Sequence, residues 1–89
     1  MNKIRIYGSE YCSYCHKAKE LAESIGLEHS YIDIQEKGNE NHLAFVQEQK
    51  HRTIPQIYEW DDAEQDYTRH VGGFTDLYNK VQENSKLAS

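Results

Sequence analysis

A strand-like alternation runs directly into two cysteines spaced by one helical turn, and few folds accommodate that succession. Lys3–Tyr7 alternates charged and apolar side chains, with Ile4 and Ile6 toward one face and Lys3 and Arg5 toward the other. That period of two is the signature of a strand with a buried side. Gly8–Tyr11 reads as a loop. From Ser13 the period changes: Cys15, Ala18, Leu21, Ala22 and Ile25 recur at helical spacing, while Lys17, Lys19, Glu20 and Glu23 fill the wet side. Gly26 closes this helix as a left-handed cap. Cys12 and Cys15 therefore fall where a strand ends and a helix begins.

The rest of the chain supplies the partners such a unit needs. Ser30–Ile34 reads as a second strand, and Gly38-Asn39 as a turn. Glu40–Lys50 reads as a helix with Leu43, Val46 and Phe45 inward. Ile54–Trp60 is an apolar, β-prone run with Pro55 near its head, Asp61–Gln65 is turn-like, and Asp66–Val71 returns to form a hairpin. After Gly72-Gly73, Thr75 caps a last helix through about Glu83 with Leu77, Tyr78 and Val81 inward, leaving 85–89 as a frayed tail. The order β-α-β-α-β-β-α predicts an α/β fold. Its first two strands are parallel through a right-handed crossover, and the hairpin adds antiparallel strands. The cysteines then lie at the carboxyl edge of the sheet, where open α/β folds place their sites.

The chemistry of the pair follows from that position. The nucleophile of disulfide exchange is a thiolate, and a free cysteine titrates near ~8.5. Unpaired N–H groups and the helix dipole favour an anion at a helix start, so Cys12 is the candidate attacking thiol. Cys15, one turn on and on the apolar stripe, is the shielded candidate for resolving a mixed disulfide. Two other readings stand beside this one. A zinc site needs further ligands at organised spacing, and His16, His29, His42, His51 and His70 show none. Two incidental core cysteines also satisfy the pattern, although the strand–Cys-x-x-Cys–helix placement favours dithiol chemistry.

Composition removes several functional classes. The 89 residues fit one domain spanning 1–89 with one small core. Lys and Arg number 10 against 15 Asp and Glu, a formal charge of −5, so there is no basic block for phosphate neutralisation and no nucleic-acid partner is expected. No apolar run approaches the roughly 18 residues of a membrane span. The start of the chain lacks an apolar export signal, so the expected compartment is the cytoplasm, where thiols stay reduced.

Three blocks carry a resemblance over nearly the whole chain: Tyr7-Gly8-Ser9-Glu10-Tyr11-Cys12-Ser13-Tyr14-Cys15, Thr53-Ile54-Pro55-Gln56-Ile57-Tyr58, and Gly72-Gly73-Phe74-Thr75-Asp76-Leu77. In this order and spacing they resemble a glutaredoxin of the dithiol type, within the thioredoxin-fold superfamily. Thioredoxins proper typically carry Trp before the first cysteine and Gly-Pro between the two, where this chain has Tyr11 and Ser13-Tyr14. The resemblance implies a four-stranded mixed sheet flanked by helices. It also implies an enzyme that reduces protein disulfides and glutathione mixed disulfides, with glutathione as the reducing co-substrate and no permanently bound cofactor or metal. Ribonucleotide reductase is among the protein partners it implies, and a monomer is expected. Residue by residue, Cys12 would attack and Cys15 resolve. Tyr14 would wall the site, Thr53 and Ile54 would offer backbone hydrogen bonds, Pro55 would be cis, and Thr75 and Asp76 would hold the γ-glutamyl end after the Gly72-Gly73 turn.

Two departures sharpen these expectations. Ser13 stands where many members have proline; some members with serine there form dimers bridged by an iron–sulfur cluster, which makes a cluster carrier one alternative. Ser9-Glu10 stands where the family usually has a cation, leaving Arg52, Lys17 or Lys19 to supply the positive charge. A thioredoxin-like donor reduced by a reductase is the other alternative. The hairpin Trp60–Val71 is long and acidic, and it reads as a solvated turn with Trp60 as an edge or core residue.

Overall fold

Period-two alternation in the first strand does more than bury one side. Ile4 and Ile6 are fully buried on one face of the sheet, and Tyr7 is buried at 3% exposure on the other. A computed structural model describes residues 1–88, with side chains through residue 84. Its elements are β1 (Ile4–Gly8), α1 (Ser13–Ser24), β2 (His29–Asp33), α2 (Glu40–Glu48), β3 (Gln56–Asp61), β4 (Asp66–Gly72) and α3 (Phe74–Ala88). The four-stranded sheet has the order β2-β1-β3-β4, parallel between β1 and β2 and antiparallel elsewhere. This is the expected thioredoxin-like topology.

Helices α1 and α3 cover one face, with Ala18, Ala22, Leu77 and Val81 packed on Ile4, Ile6 and Ile57. Helix α2 covers part of the other, where Val46 meets Tyr7, Ile34 and Tyr58, flanked by Leu43 and Phe45. Glu59 intrudes on the aliphatic face at 4% exposure. It is held by Lys80 at 3.1 Å and by the Asn2 backbone N–H at 2.5 Å.

The element ends differ from the sequence expectation for identifiable reasons. Ile25 is the C-cap of α1 and is 47% exposed rather than inward. Beyond it Gly26 takes a φ of 69°, while Leu27 N–H bonds Ala22 O and Gly26 N–H bonds Glu23 O. Those two bonds form a Schellman motif, which turns the chain before Ile25 can face the core. Helix α2 ends the same way, earlier than Lys50, with Lys50 at φ 59° and bonds from His51 N–H to Val46 O and from Lys50 N–H to Gln47 O. Strand β3 starts only at Gln56, so Ile54 and Pro55 belong to the preceding loop. Helix α3 begins at Phe74, which makes Gly73 the capping position and places Thr75 inside the first turn. The Gly73 N–H is bound by Asp76 Oδ2 at 2.9 Å, the return half of a capping box. Tyr78 is 46% exposed and not part of the core. The helix continues to Ala88. Side chains over 85–88 and all of Ser89, where fraying is expected, lie outside the described residues.

Two of the hairpin's acidic side chains are engaged within it. Asp61 accepts from Ala63 N–H at 2.9 Å and faces Arg69 at 3.4 Å, and Asp62 accepts from the Trp60 indole at 3.1 Å. The Ala63 N–H, and after it the Arg69 guanidinium, hold the Asp61 carboxyl below its usual range. Trp60 is half-buried on β3, an inner strand of the sheet, under Lys3 Nζ at 4.3 Å.

Candidate active site

Cys12 is itself the N-cap of α1. Its backbone is extended, at φ −93° and ψ 110°, and its Sγ accepts the Cys15 N–H at 3.2 Å. A sulfur in this position takes the place of the usual serine or aspartate oxygen and sits at the positive end of the helix. The two sulfurs are joined as a disulfide with 5.2 Å between the Cα atoms. Exposure divides the pair: Cys12 is partly accessible, while Cys15 is at 0%.

Glycine at the end of β1 makes the burial of Cys15 feasible. A Cβ on Gly8 would stand 2.8 Å from Cys15 Sγ and 2.7 Å from the Tyr31 hydroxyl. Any larger residue would push α1 away from the sheet. Tyr31 donates to Ser9 O at 2.7 Å and so pins the loop that leads to Cys12. Burial, with the Asp33 charge in support, raises the Tyr31 phenol above its ordinary value.

On one side of the disulfide lies an open hollow of about 260 Å³, lined by Tyr14, Thr53, Ile54, Pro55, Gly73, Phe74, Thr75 and Asp76. All but Phe74 are residues that the resemblance singles out, and they come from three separate parts of the chain. The Ile54–Pro55 peptide is cis, and the Ile54 carbonyl oxygen lies 3.7 Å from Cys12 Sγ. Gly72 has a φ of 121°, and a Cβ there would collide with the Asp76 carboxylate. Gly72 is thus the glycine that lets Asp76 fold back onto the turn, whereas a Cβ on Gly73 would meet only ordinary contacts, at 3.7 Å from Pro55 O. Tyr14 is 56% exposed, 6.1 Å from the Phe74 ring and beneath Lys17 Nζ at 4.8 Å.

Arg52 is not in that hollow. It lines a neighbouring one of about 290 Å³ with His51, sharing Thr53 and Ile54 at the common rim. Glu10 faces a third hollow of about 510 Å³ with Tyr11, His16, Asp33 and Glu36. Lys19 lies 5.7 Å above the Tyr31 ring. Sequence spacing also gave no hint that His51 and His70 meet, with ring centroids 4.8 Å apart. They stand on different elements and converge only through sheet pairing.

Comparison with known proteins agrees with this geometry. The sequence model of the Glutaredoxin family matches residues 4–62. Glutaredoxin 3 of Escherichia coli K12 is 35% identical over 79 residues, covering 88% of this chain and 84% of that protein. The solution structure of reduced Escherichia coli glutaredoxin superposes with a TM-score of 0.67 at 32% identity, over 94% of this chain and 98% of that one. A crystal structure of a buckwheat glutaredoxin–glutathione complex shares the fold, with a TM-score of 0.69 at 21% identity over 93% of this chain and 71% of that one.

Proposed function

This chain belongs to the glutaredoxin family, whose members are thiol–disulfide oxidoreductases, and from that premise we propose that it works with glutathione, Cys12 attacking and Cys15 resolving. The observation that carries this reading is the half-accessible Cys12 sulfur at a helix N-cap, beside a hollow built around the Ile54–Pro55 peptide.

The chemistry balances on sulfur alone. The Cys12 thiolate attacks one sulfur of a substrate disulfide; a Cys12–substrate disulfide forms and the other substrate sulfur leaves as a thiolate. The Cys15 thiolate then attacks Cys12 Sγ, releasing the second substrate thiol and closing the Cys12–Cys15 disulfide. Two glutathione molecules reduce that disulfide and leave as glutathione disulfide. Glutathione is therefore a co-substrate rather than a resident cofactor. The N-terminal end of α1 favours the Cys12 thiolate.

In this scheme glutathione occupies the hollow. Tyr14 walls it, and the Thr53 and Ile54 backbone groups pair with the tripeptide. Gly73 and Thr75 line the γ-glutamyl end. Asp76 has one oxygen committed to the Gly73 N–H, leaving the other for the ammonium group. Arg52, which lines the neighbouring hollow that shares Thr53 and Ile54, would meet a glutathione carboxylate and compensate for Glu10. Disulfide-containing proteins are the other substrates, ribonucleotide reductase among them, and the protein acts as a monomer in the glutathione-rich cytoplasm. Among the described residues no helix is long and apolar enough to cross a membrane.

Turnover of a small glutathione mixed disulfide, with glutathione, its reductase and NADPH as electron supply, tests the reading. Wild type turns over; Cys12→Ser abolishes exchange. Cys15→Ser keeps activity on the mixed disulfide, which needs one thiol, and loses reduction of protein disulfides. Substantial activity in Cys12→Ser would overturn the assignment.

A further inference from the structure

Gln56 is a polar residue at 7% exposure, the first of β3, and both ends of its amide are engaged. Its Nε2 donates to Thr53 O at 3.0 Å and lies 3.4 Å from Thr53 Oγ1, while its Oε1 lies 2.8 Å from His70 Nε2. An amide has its donors on one atom and its acceptors on the other. With Nε2 turned to a carbonyl, Oε1 must face His70, and His70 must carry its proton on Nε2. Neighbouring rings hold His70 itself, Tyr58 at 4.8 Å and His51 at 4.8 Å, and His51 in turn bonds the Tyr58 hydroxyl at 2.7 Å. A chain of contacts thus runs from the edge strand β4, through Gln56, to the loop that precedes Pro55. One residue beyond Thr53, the Ile54 carbonyl stands 3.7 Å from Cys12 Sγ.

We propose that Gln56, keyed by His70, is a positioning residue for exchange on glutathione disulfides: it clamps the Thr53 carbonyl and so fixes the Thr53–Ile54–Pro55 backbone on which the tripeptide would lie. The inference rests on the reading of the hollow as a glutathione site. It adds that the recognition backbone is aimed from the opposite strand, by two side chains that do not line the hollow. A merely structural Gln56 would satisfy its own buried amide and have no bearing on which disulfide reacts.

The test uses the full chain in its reduced form and two probes. One is glutathione disulfide. The other is the disulfide of N-acetylcysteamine, which offers the same reacting bond without the γ-glutamyl and glycyl ends. Wild type reacts faster with the first. Gln56→Leu keeps the side-chain volume and removes both hydrogen bonds; its rate with glutathione disulfide falls about tenfold, on the scale of one lost buried hydrogen bond. Its rate with the second probe stays within about twofold on that same scale. His70→Phe keeps a ring against Tyr58 and His51 but loses the donor, and it shows a smaller loss of the same selectivity. Equal losses with both probes, or no loss in either variant, overturn the proposal. If Gln56→Leu does not fold, His70→Phe decides alone by the same criterion. A wild type with no preference between the probes removes the glutathione reading and this inference with it; a wild-type preference that both variants keep removes this inference alone.

Discussion

The two faces of the sheet are built from different materials. On the α1/α3 face the contacts are aliphatic, and Ile4, Ile6, Ala18, Ala22, Ile57 and Leu77 are all at 0% exposure. On the α2 face they are aromatic: Tyr58 packs edge-on against Tyr7 at 5.8 Å and Phe45 at 5.3 Å. Histidines 51 and 70 stand at one end, and at the other Arg5 lies 4.2 Å above the Tyr67 ring. The aliphatic face anchors α1, and with it the fully buried Cys15. The aromatic face carries polar atoms into its interior, and the Gln56 amide among them holds the loop ahead of Pro55. The same sheet thus offers a rigid seat for the dithiol and a hydrogen-bonded support for the segment opposite it.

The largest test of this contrast deletes one leucine from each face. Leu77 is fully buried against β1 and β3, whereas Leu43 on α2 is only half-buried. Leu77→Ala is expected to cost about 3–4 kcal/mol, within the range for emptied core sites, and Leu43→Ala about half that because part of its surface is already in water. Denaturant melts of the two variants measure this directly. Equal losses would show that α2 is packed as firmly as α1 and α3.

The same contrast explains what the sequence could and could not disclose. Alternation in Lys3–Tyr7, the Cys12–Cys15 spacing and the helical stripe through Ala22 are local patterns, and they placed the disulfide at the sheet edge. The residues facing it across the hollow, Thr53 to Pro55 and Gly73 to Asp76, carry no local signal that they meet; they became legible only through resemblance. Ile25 and Tyr78 obey the helical period yet lie outside the core: a Schellman turn redirects the chain at Ile25, and Tyr78 stands 46% exposed beside the buried stripe of Leu77 and Val81. Glu59 was hidden for a different reason. A charged residue in an apolar strand reads as solvent-facing, and its partners Lys80 and Asn2 come from remote parts of the chain. The His70–Gln56–Thr53 chain likewise depends on strand register, including a β-bulge between Ile57 and Tyr58, which no short-range period encodes.

Acid should weaken the aromatic face selectively. Burial, and secondarily the positive charge of a protonated His70, hold the His51 imidazolium below its ordinary value of 6.5. The sign follows from proton binding. Around and just below pH 6.5 the unfolded chain binds more protons at this residue than the folded one, so stability falls as the pH falls through that window. Replacing the imidazole in His51→Asn should flatten this part of the profile while leaving stability above the window nearly unchanged apart from the lost bond to Tyr58. Thermal melts of wild type and variant at several pH values measure it. An unchanged slope in the variant would assign the acid sensitivity to another group.

The smallest expected effect is a gain on the weaker face. Lys50 takes a φ of 59° at the left-handed position that closes α2, where α1 uses Gly26 at 69° for the same turn. The two motifs match bond for bond, so the comparison isolates the residue type. A side chain in that conformation costs about 1 kcal/mol, whereas glycine adopts it freely and loses only some unfolded-state entropy. Lys50→Gly should therefore stabilise the protein by about 0.5 kcal/mol on that balance. Because the cap belongs to α2, amide exchange should slow most in the last turn of that helix and least in β1 and α1. Slowing spread evenly over both faces would mean that α2 opens only with the whole fold, and that the two faces unfold as one unit despite their different chemistry.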